Sequence, residues 1–168
     1  MLEHRIATVA AAATFFLLII GGTVNPTGSS LACPEATLVC HGQFFPEMTG
    51  GVLYEHGHRQ VAMSVGLIQI ALTALLLLRR QGMRRLAIVT LLMVCAQGTL
   101  GAVTVHYKLP WVVSTAHLML AMTYLATLVY VVFRTRPERG AATPTVDDRA
   151  VLASLGRWIL VESAFVVA

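Results

Sequence analysis

The sequence predicts an all-α membrane protein: an up-down four-helix transmembrane bundle with a long outer loop and a partial fifth apolar segment. Three observations predict it. The 168 residues are 57% hydrophobic and only 12% charged, about half the charge of an ordinary soluble domain. Four apolar runs, about Ile6–Gly22, Val61–Leu78, Leu86–Val105 and Trp111–Phe133, approach or reach the roughly 20 residues that a bilayer crossing needs. Short connections between the later runs force neighbouring helices to run antiparallel.

The first run has the basic start and apolar centre of a signal peptide. No small-residue cleavage site follows it cleanly, so it is read as a retained span. The loop from Thr23 to about Tyr54 carries Glu35 and Glu47 and no Lys or Arg. It has turn chemistry at Asn25-Pro26-Thr27-Gly28, Cys33-Pro34, Phe45-Pro46 and Gly50-Gly51. Phe44, Phe45, Met48 and Leu53 are expected to fold back over the mouth of the bundle.

The second span opens at Glu55-His56-Gly57-His58-Arg59, and a turn rich in arginine (Arg79, Arg80, Arg84, Arg85) separates it from the third. The third span ends at His106 before the short turn Tyr107-Lys108-Leu109-Pro110. The fourth is followed by Arg134, Arg136 and Arg139. Arginine-rich connections stay cytoplasmic. The chain therefore reads as a multi-pass protein of the plasma membrane, N-terminus cytoplasmic and cysteine loop outside. The net charge of +4 sits at helix ends, which argues against a nucleic-acid partner.

The bundle is expected over 1–133, a cytoplasmic linker over 134–149, and an amphipathic helix or truncated fifth span over 150–168. The last segment is interrupted by Arg157 and Glu162. No internal repeat is evident.

Ionisable residues inside spans are costly and point to binding, pairing or a cavity. His58 stands at the outer start of span two. His117 lies six residues inside Trp111, about 9 Å down at helical rise. Spans two and four are diagonal partners, wider apart than the roughly 8–10 Å of neighbouring helices, and so have room for a flat macrocycle. Neutral imidazole is a standard axial ligand for haem iron. The bland alternative is that each histidine is an interfacial or hydrogen-bonded residue. His56 and His106 are rival ligands.

Glu55 is three residues before His58 and shares its helical face. It is read either as a proton-transfer carboxylate or as an acid capping the first turn. Arg59 is read as a partner for a haem propionate or as a snorkelling residue. Cys33 and Cys40 lie in the outer loop, where disulfides persist. Their bridge is either structural or exchanges with redox partners. Cys95 is read as packing. In Gln97-Gly98-Thr99-Leu100-Gly101, the glycines permit close helix approach and Gln97 bonds across helices.

Taken together, these residues resemble the haem A synthase family. The pieces that carry the resemblance are Cys33 and Cys40, Gly42-Gln43-Phe44-Phe45-Pro46 leading to Glu55-His56-Gly57-His58-Arg59, the run Gln97–Val105, and His117-Leu118, together about residues 20 to 130. The resemblance implies oxidation of the C8 methyl of haem O to a formyl group, for terminal oxidase cofactor synthesis. It implies Glu55 as the acid linked to oxidation, His58 and His117 as the iron-binding pair with haem b or haem O, and Cys33–Cys40 as an outer disulfide. Typical members carry two such four-helix halves, and this chain matches the N-terminal one. The partners implied are haem O, membrane lipid, a second copy of the chain, and haem O synthase or oxidase assembly factors. Two other readings stand beside it: a non-catalytic bis-histidine haem b protein for electron transfer or haem carriage, and a membrane thiol–disulfide oxidoreductase acting through Cys33 and Cys40.

Overall fold

The structure, a computed structural model, describes residues 1–137. The expectations for the linker beyond residue 137 and for 150–168 lie outside the described residues. Four helices form: α1 Leu2–Val24, α2 Gly50–Arg79, α3 Arg84–His106 and α4 Trp111–Arg134. A 3-10 turn at Gln81–Met83 joins α2 to α3. All four are long and apolar enough to cross a membrane, and the described residues contain no named strand. Each predicted apolar run became a helix because its backbone polar groups have no partner in hydrocarbon except one another.

α1 packs against α2 and α4, and α3 packs against the same two. α2 and α4 are therefore diagonal. One end of the bundle carries the arginine turn and the other the long loop. They are called here the arginine end and the loop end.

α2 starts eleven residues before the predicted apolar run. Its first residue, Gly50, has φ +52°, which glycine adopts at no steric cost. Residues 51–60 hold no proline, and their polar side chains find partners in the loop, so the helix continues outward. Glu55 consequently lies in the second turn, and the first turn of α2 contains no acid. The capping role read from the sequence does not apply.

The buried apolar cluster comprises Ala7, Ala10, Val65, Leu72, Leu76, Met83, Ala87, Tyr124, Leu128 and Val131. Alanines on α1 and α3 allow close helix approach. A polar network is embedded in the cluster. Gln69 Nε2 donates to Thr73 Oγ1 at 3.0 Å and to Thr90 Oγ1 at 2.9 Å. Tyr124 OH donates to Gln69 Oε1 at 2.8 Å. The network ties α2, α3 and α4 together with every hydrogen bond satisfied, the condition under which buried polar groups are tolerated in an apolar medium.

The cluster fills only the arginine half. No residue of α1 after Thr14 is buried, none of α3 after Thr90, none of α4 before Tyr124, and none of α2 between His56 and Val65. Protein interiors are otherwise close-packed. In the loop half the helical side chains are only partly buried, apart from Glu55 and His56.

In the loop, Cys33 and Cys40 form a disulfide, with Cα atoms 4.9 Å apart. Phe44 and Phe45 do not fold over the mouth. They meet edge to face, with ring centroids 4.8 Å apart, and Phe45 is 78% exposed. Met48 and Leu53 also stay exposed. The loop is drawn onto α2 by polar contacts, and these aromatic and aliphatic side chains are left outside.

α3 ends in a Schellman turn: Lys108 N–H reaches Val105 O at 3.1 Å and Leu109 N–H reaches Thr104 O at 2.8 Å. Lys108 and Leu109 have φ +55° and +64°. Glycine is the usual residue at such a position, and a side chain there costs about 1 kcal/mol.

Candidate functional site

Two layers occupy the loop half. The first joins α2 to the disulfide loop. Glu55 Oε2 accepts the Cys33 N–H at 2.9 Å, and its Oε1 accepts from Arg59 Nη2. Arg59 Nη1 donates to the carbonyls of Glu35, Thr37 (2.7 Å) and Val39 (3.4 Å). The planar guanidinium suits this work, since its N–H groups fan out in a fixed fork. The residues enclosed by the disulfide are therefore held by α2 through a single side chain. Arg59 thus engages both the loop and Glu55.

Glu35 closes the same loop from within. Its carboxylate accepts the N–H of His41 at 3.0 Å and of Gly42 at 2.9 Å. Desolvation pushes this carboxyl upward. Hydrogen bonds from its own, the Gly42 and the His41 N–H groups outweigh that push, with a contribution from the His41 charge, and hold it below the usual carboxylate range.

His56 is fully buried. Its Nε2 lies 2.9 Å from the Phe44 carbonyl and 3.1 Å from Gln60 Nε2. It faces the loop, on a different side of α2 from His58. His56 and the two sulfurs lie within 4.8 Å of one another. The thiolates that a metal requires are consumed in the disulfide, so this cluster is not a metal centre.

The second layer is the histidine pair. His58 projects from α2 against α1. A Cβ at Gly21 would stand 2.8 Å from His58 Cε1, so a side chain there would force the ring to shift. His117 projects from α4 against α3, and a Cβ at Gly101 would meet His117 Cε1 at 3.5 Å, an ordinary contact. The Nδ1 atoms of His56, His58 and His117 and the Oε1 of Gln97 are buried and have no hydrogen-bond partner among the described residues; of these histidines, His56 faces the loop through its Nε2. Each such orphan costs about 1–3 kcal/mol. Two imidazoles on diagonal helices, each with an unpartnered buried nitrogen, are the donor set that a porphyrin iron takes. The residues present fit such a group.

The histidine pair and the Glu55–Arg59 pair are thus gathered at one end. Glu55 and His58 are close in sequence, but the Glu55 carboxylate turns to Cys33 and Arg59. His106 is exposed and stacks edge to face on Tyr107, with centroids 4.9 Å apart, so it is no rival for that pair. Cys95 is exposed rather than packed. Gln97, expected to bond across helices, leaves its Oε1 unpartnered. Sequence reasoning missed Gly21 and Glu35. The only signal for Gly21 was the Gly21-Gly22 pair at the end of the first apolar run, which reads equally as a helix terminus.

Residues 47–168 match the family model COX15-CtaA, described as cytochrome oxidase assembly protein. The chain is 30% identical over 133 residues to the heme A synthase of Bacillus pumilus, a match that covers 74% of this chain and 42% of that protein. It is 28% identical over 158 residues to the heme A synthase of Symbiobacterium thermophilum, covering 90% of this chain and 51% of that protein. It is 31% identical over 105 residues to the heme A synthase of Shewanella oneidensis, covering 62% and 32%. The chain thus spans about half the length, or less, of these curated relatives. No solved structure matches it. With the family model covering well over half of the sequence, the chain belongs to the cytochrome oxidase assembly protein family in which heme A synthases are its relatives.

Proposed function

We propose that this bundle holds a haem between His58 and His117 and oxidises the C8 methyl of haem O to a formyl group. The observation that carries the reading is the placement of His58 and His117 on the diagonal helices α2 and α4, each with a buried, unpartnered Nδ1. The family relatives named heme A synthase point to the same chemistry.

The haem supplies the redox-active iron and, as haem O, the methyl group itself. The chain's own residues do the rest. His58 and His117 bind and orient the ring through neutral imidazole. Gly21 and Gly101 leave space for those imidazoles. The four apolar helices exclude water, which strengthens every electrostatic interaction inside. Converting a methyl to a formyl group would take two successive two-electron oxidations, R–CH3 + H2O giving R–CHO, four protons and four electrons, with the oxygen from water and the electrons passing to an external acceptor. Glu55 is the carboxylate nearest His58 along α2, and to take a proton it would release its contact with Arg59 or with the Cys33 N–H. Arg59 and the Cys33 N–H hold the carboxylate in place, so both are positioning groups.

A second reading is favoured by one specific observation. Both Glu55 oxygens are already engaged by structural donors, as expected of a clamp in a non-catalytic haem b protein. The thiol–disulfide oxidoreductase reading is disfavoured, because Cys33 and Cys40 are fully buried while exchange needs access to a sulfur. The placement proposed with the leading reading is the plasma membrane, with the arginine end cytoplasmic and the disulfide loop outside. The partners proposed are haem O, membrane lipid, a second copy of the chain, and haem O synthase or oxidase assembly factors.

The test is extraction and mass analysis of haem from the purified protein, coexpressed with a haem O source. Haem O together with its hydroxylated and formyl products is the expected result. Haem b alone favours the second reading, and no haem removes the histidine site. Glu55→Ala, in the same experiment, is expected to abolish product and spare haem binding.

A further inference from the structure

The long loop and the α3–α4 turn enclose a cavity of about 310 Å³ at the loop end. Leu31, Cys33, Pro34 and Ala36 line it on one side, and Val105, His106 and Lys108 on the other. It touches none of the residues of the histidine layer, but it shares α3 with them. His106 is five residues beyond Gly101, the residue against which His117 packs, or about 7.5 Å toward the loop end at helical rise.

Three features make this cavity unusual. Lys108 is the sole lysine of the sequence, and it stands at the end opposite the arginine clusters, where basic residues are disfavoured. It occupies a left-handed cap position, φ +55°, that glycine fills more easily. It also has no carboxylate partner among the described residues. The other cation at this end, Arg59, is consumed by the loop carbonyls and Glu55.

We propose that this cavity is the carboxylate subsite for the porphyrin, with Lys108 as the cation that receives a propionate and His106 as a second polar contact. The inference rests on the reading that His58 and His117 hold a haem. A ring held at His117 with its acid edge toward the loop end carries its carboxylates on two-carbon arms toward Lys108. Those carboxylates have no other free cation at that end among the described residues. The disulfide-bearing wall then serves as the apolar side of the subsite, and Lys108 selects a porphyrin that carries free acids.

Ionic oxygens from a lipid headgroup offer the same chemistry, so the test is run in uncharged maltoside detergent. Haem b and its dimethyl ester are titrated into the purified protein and followed by Soret absorbance. Wild type is expected to bind the free acid about fivefold or more tightly than the ester. Lys108→Ala is expected to lose that preference by weakening acid binding alone, and Lys108→Arg to keep it. Equal binding of acid and ester by wild type overturns the proposal. So does a preference that survives in Lys108→Ala, or an equal loss of both ligands, which marks a merely structural role. A wild type without a two-imidazole spectrum fails the haem reading itself, and the subsite falls with it. A wild type with that spectrum but no acid preference fails the subsite alone.

Discussion

Replacing Arg59 by alanine severs the tie between α2 and the disulfide loop. The guanidinium donates to three loop carbonyls and to Glu55. The Glu55 side chain is only 5% exposed and that of Arg59 12%. Removing one partner of a buried pair leaves the other charge without compensation and costs about 3–5 kcal/mol. The Cys33 N–H still serves Glu55, so the low end of that range, about 3 kcal/mol, is the fair value here. Both sulfurs are fully buried, so a reductant reaches them only after the loop opens. When opening and closing are fast relative to reduction, the rate follows the open population. A loss of about 3 kcal/mol then accelerates reduction on the order of 100-fold. The assay is the rate of thiol appearance under a water-soluble phosphine, scored by alkylation and mass. Arg59→Lys is expected to recover little, because a point charge cannot serve three carbonyls in fixed directions. A reduction rate in Arg59→Ala within twofold of wild type refutes the clamp.

Gly21→Ala is expected to push the His58 ring out of place and lower haem occupancy about tenfold, whereas Gly101→Ala, at an ordinary 3.5 Å contact, retains it; pyridine haemochrome per protein decides between them. Acidification is expected to loosen the loop. The Glu35 carboxyl is held below its ordinary value, so its contribution is fully present above the unfolded value and is lost as pH falls through the folded one. Phosphine reduction measured down that range should speed up in wild type, and the acid-dependent step should vanish in Glu35→Gln. Tyr124→Phe leaves Gln69 Oε1 without its donor and is expected to cost about 0.6–2 kcal/mol, read as a lowered unfolding midpoint in detergent. No change there would mean that the network is not closed by Tyr124.

The four spans were legible because a bilayer demands long uncharged runs, and nothing else in the chain supplies them. His58 and His117 stood out for the complementary reason, as polar groups where polarity is expensive. The start of α2 was not legible. Gly50–Gln60 looks like a polar mouth, and it is helical because Glu55 and Arg59 find partners at Cys33, Glu35, Thr37 and Val39, some twenty residues back in the chain. The same contacts engage Arg59 with the loop, and Phe44 and Phe45 stay exposed. The thinner packing of the loop half was equally hidden. Both halves of each helix have similar apolar composition, and only packing reveals that burial stops at Thr14, Val65, Thr90 and Tyr124. The turn at Lys108 carried no signal either, since its cavity forms only when the loop meets α3.

The central claim is that two histidines on diagonal helices hold one haem. Electron paramagnetic resonance of the oxidised, haem-loaded protein tests it most directly. The account predicts a low-spin six-coordinate iron in wild type, and conversion to a high-spin signal in both His58→Ala and His117→Ala, with His56→Ala and His106→Ala unchanged. A low-spin signal that persists when either His58 or His117 is removed would contradict it.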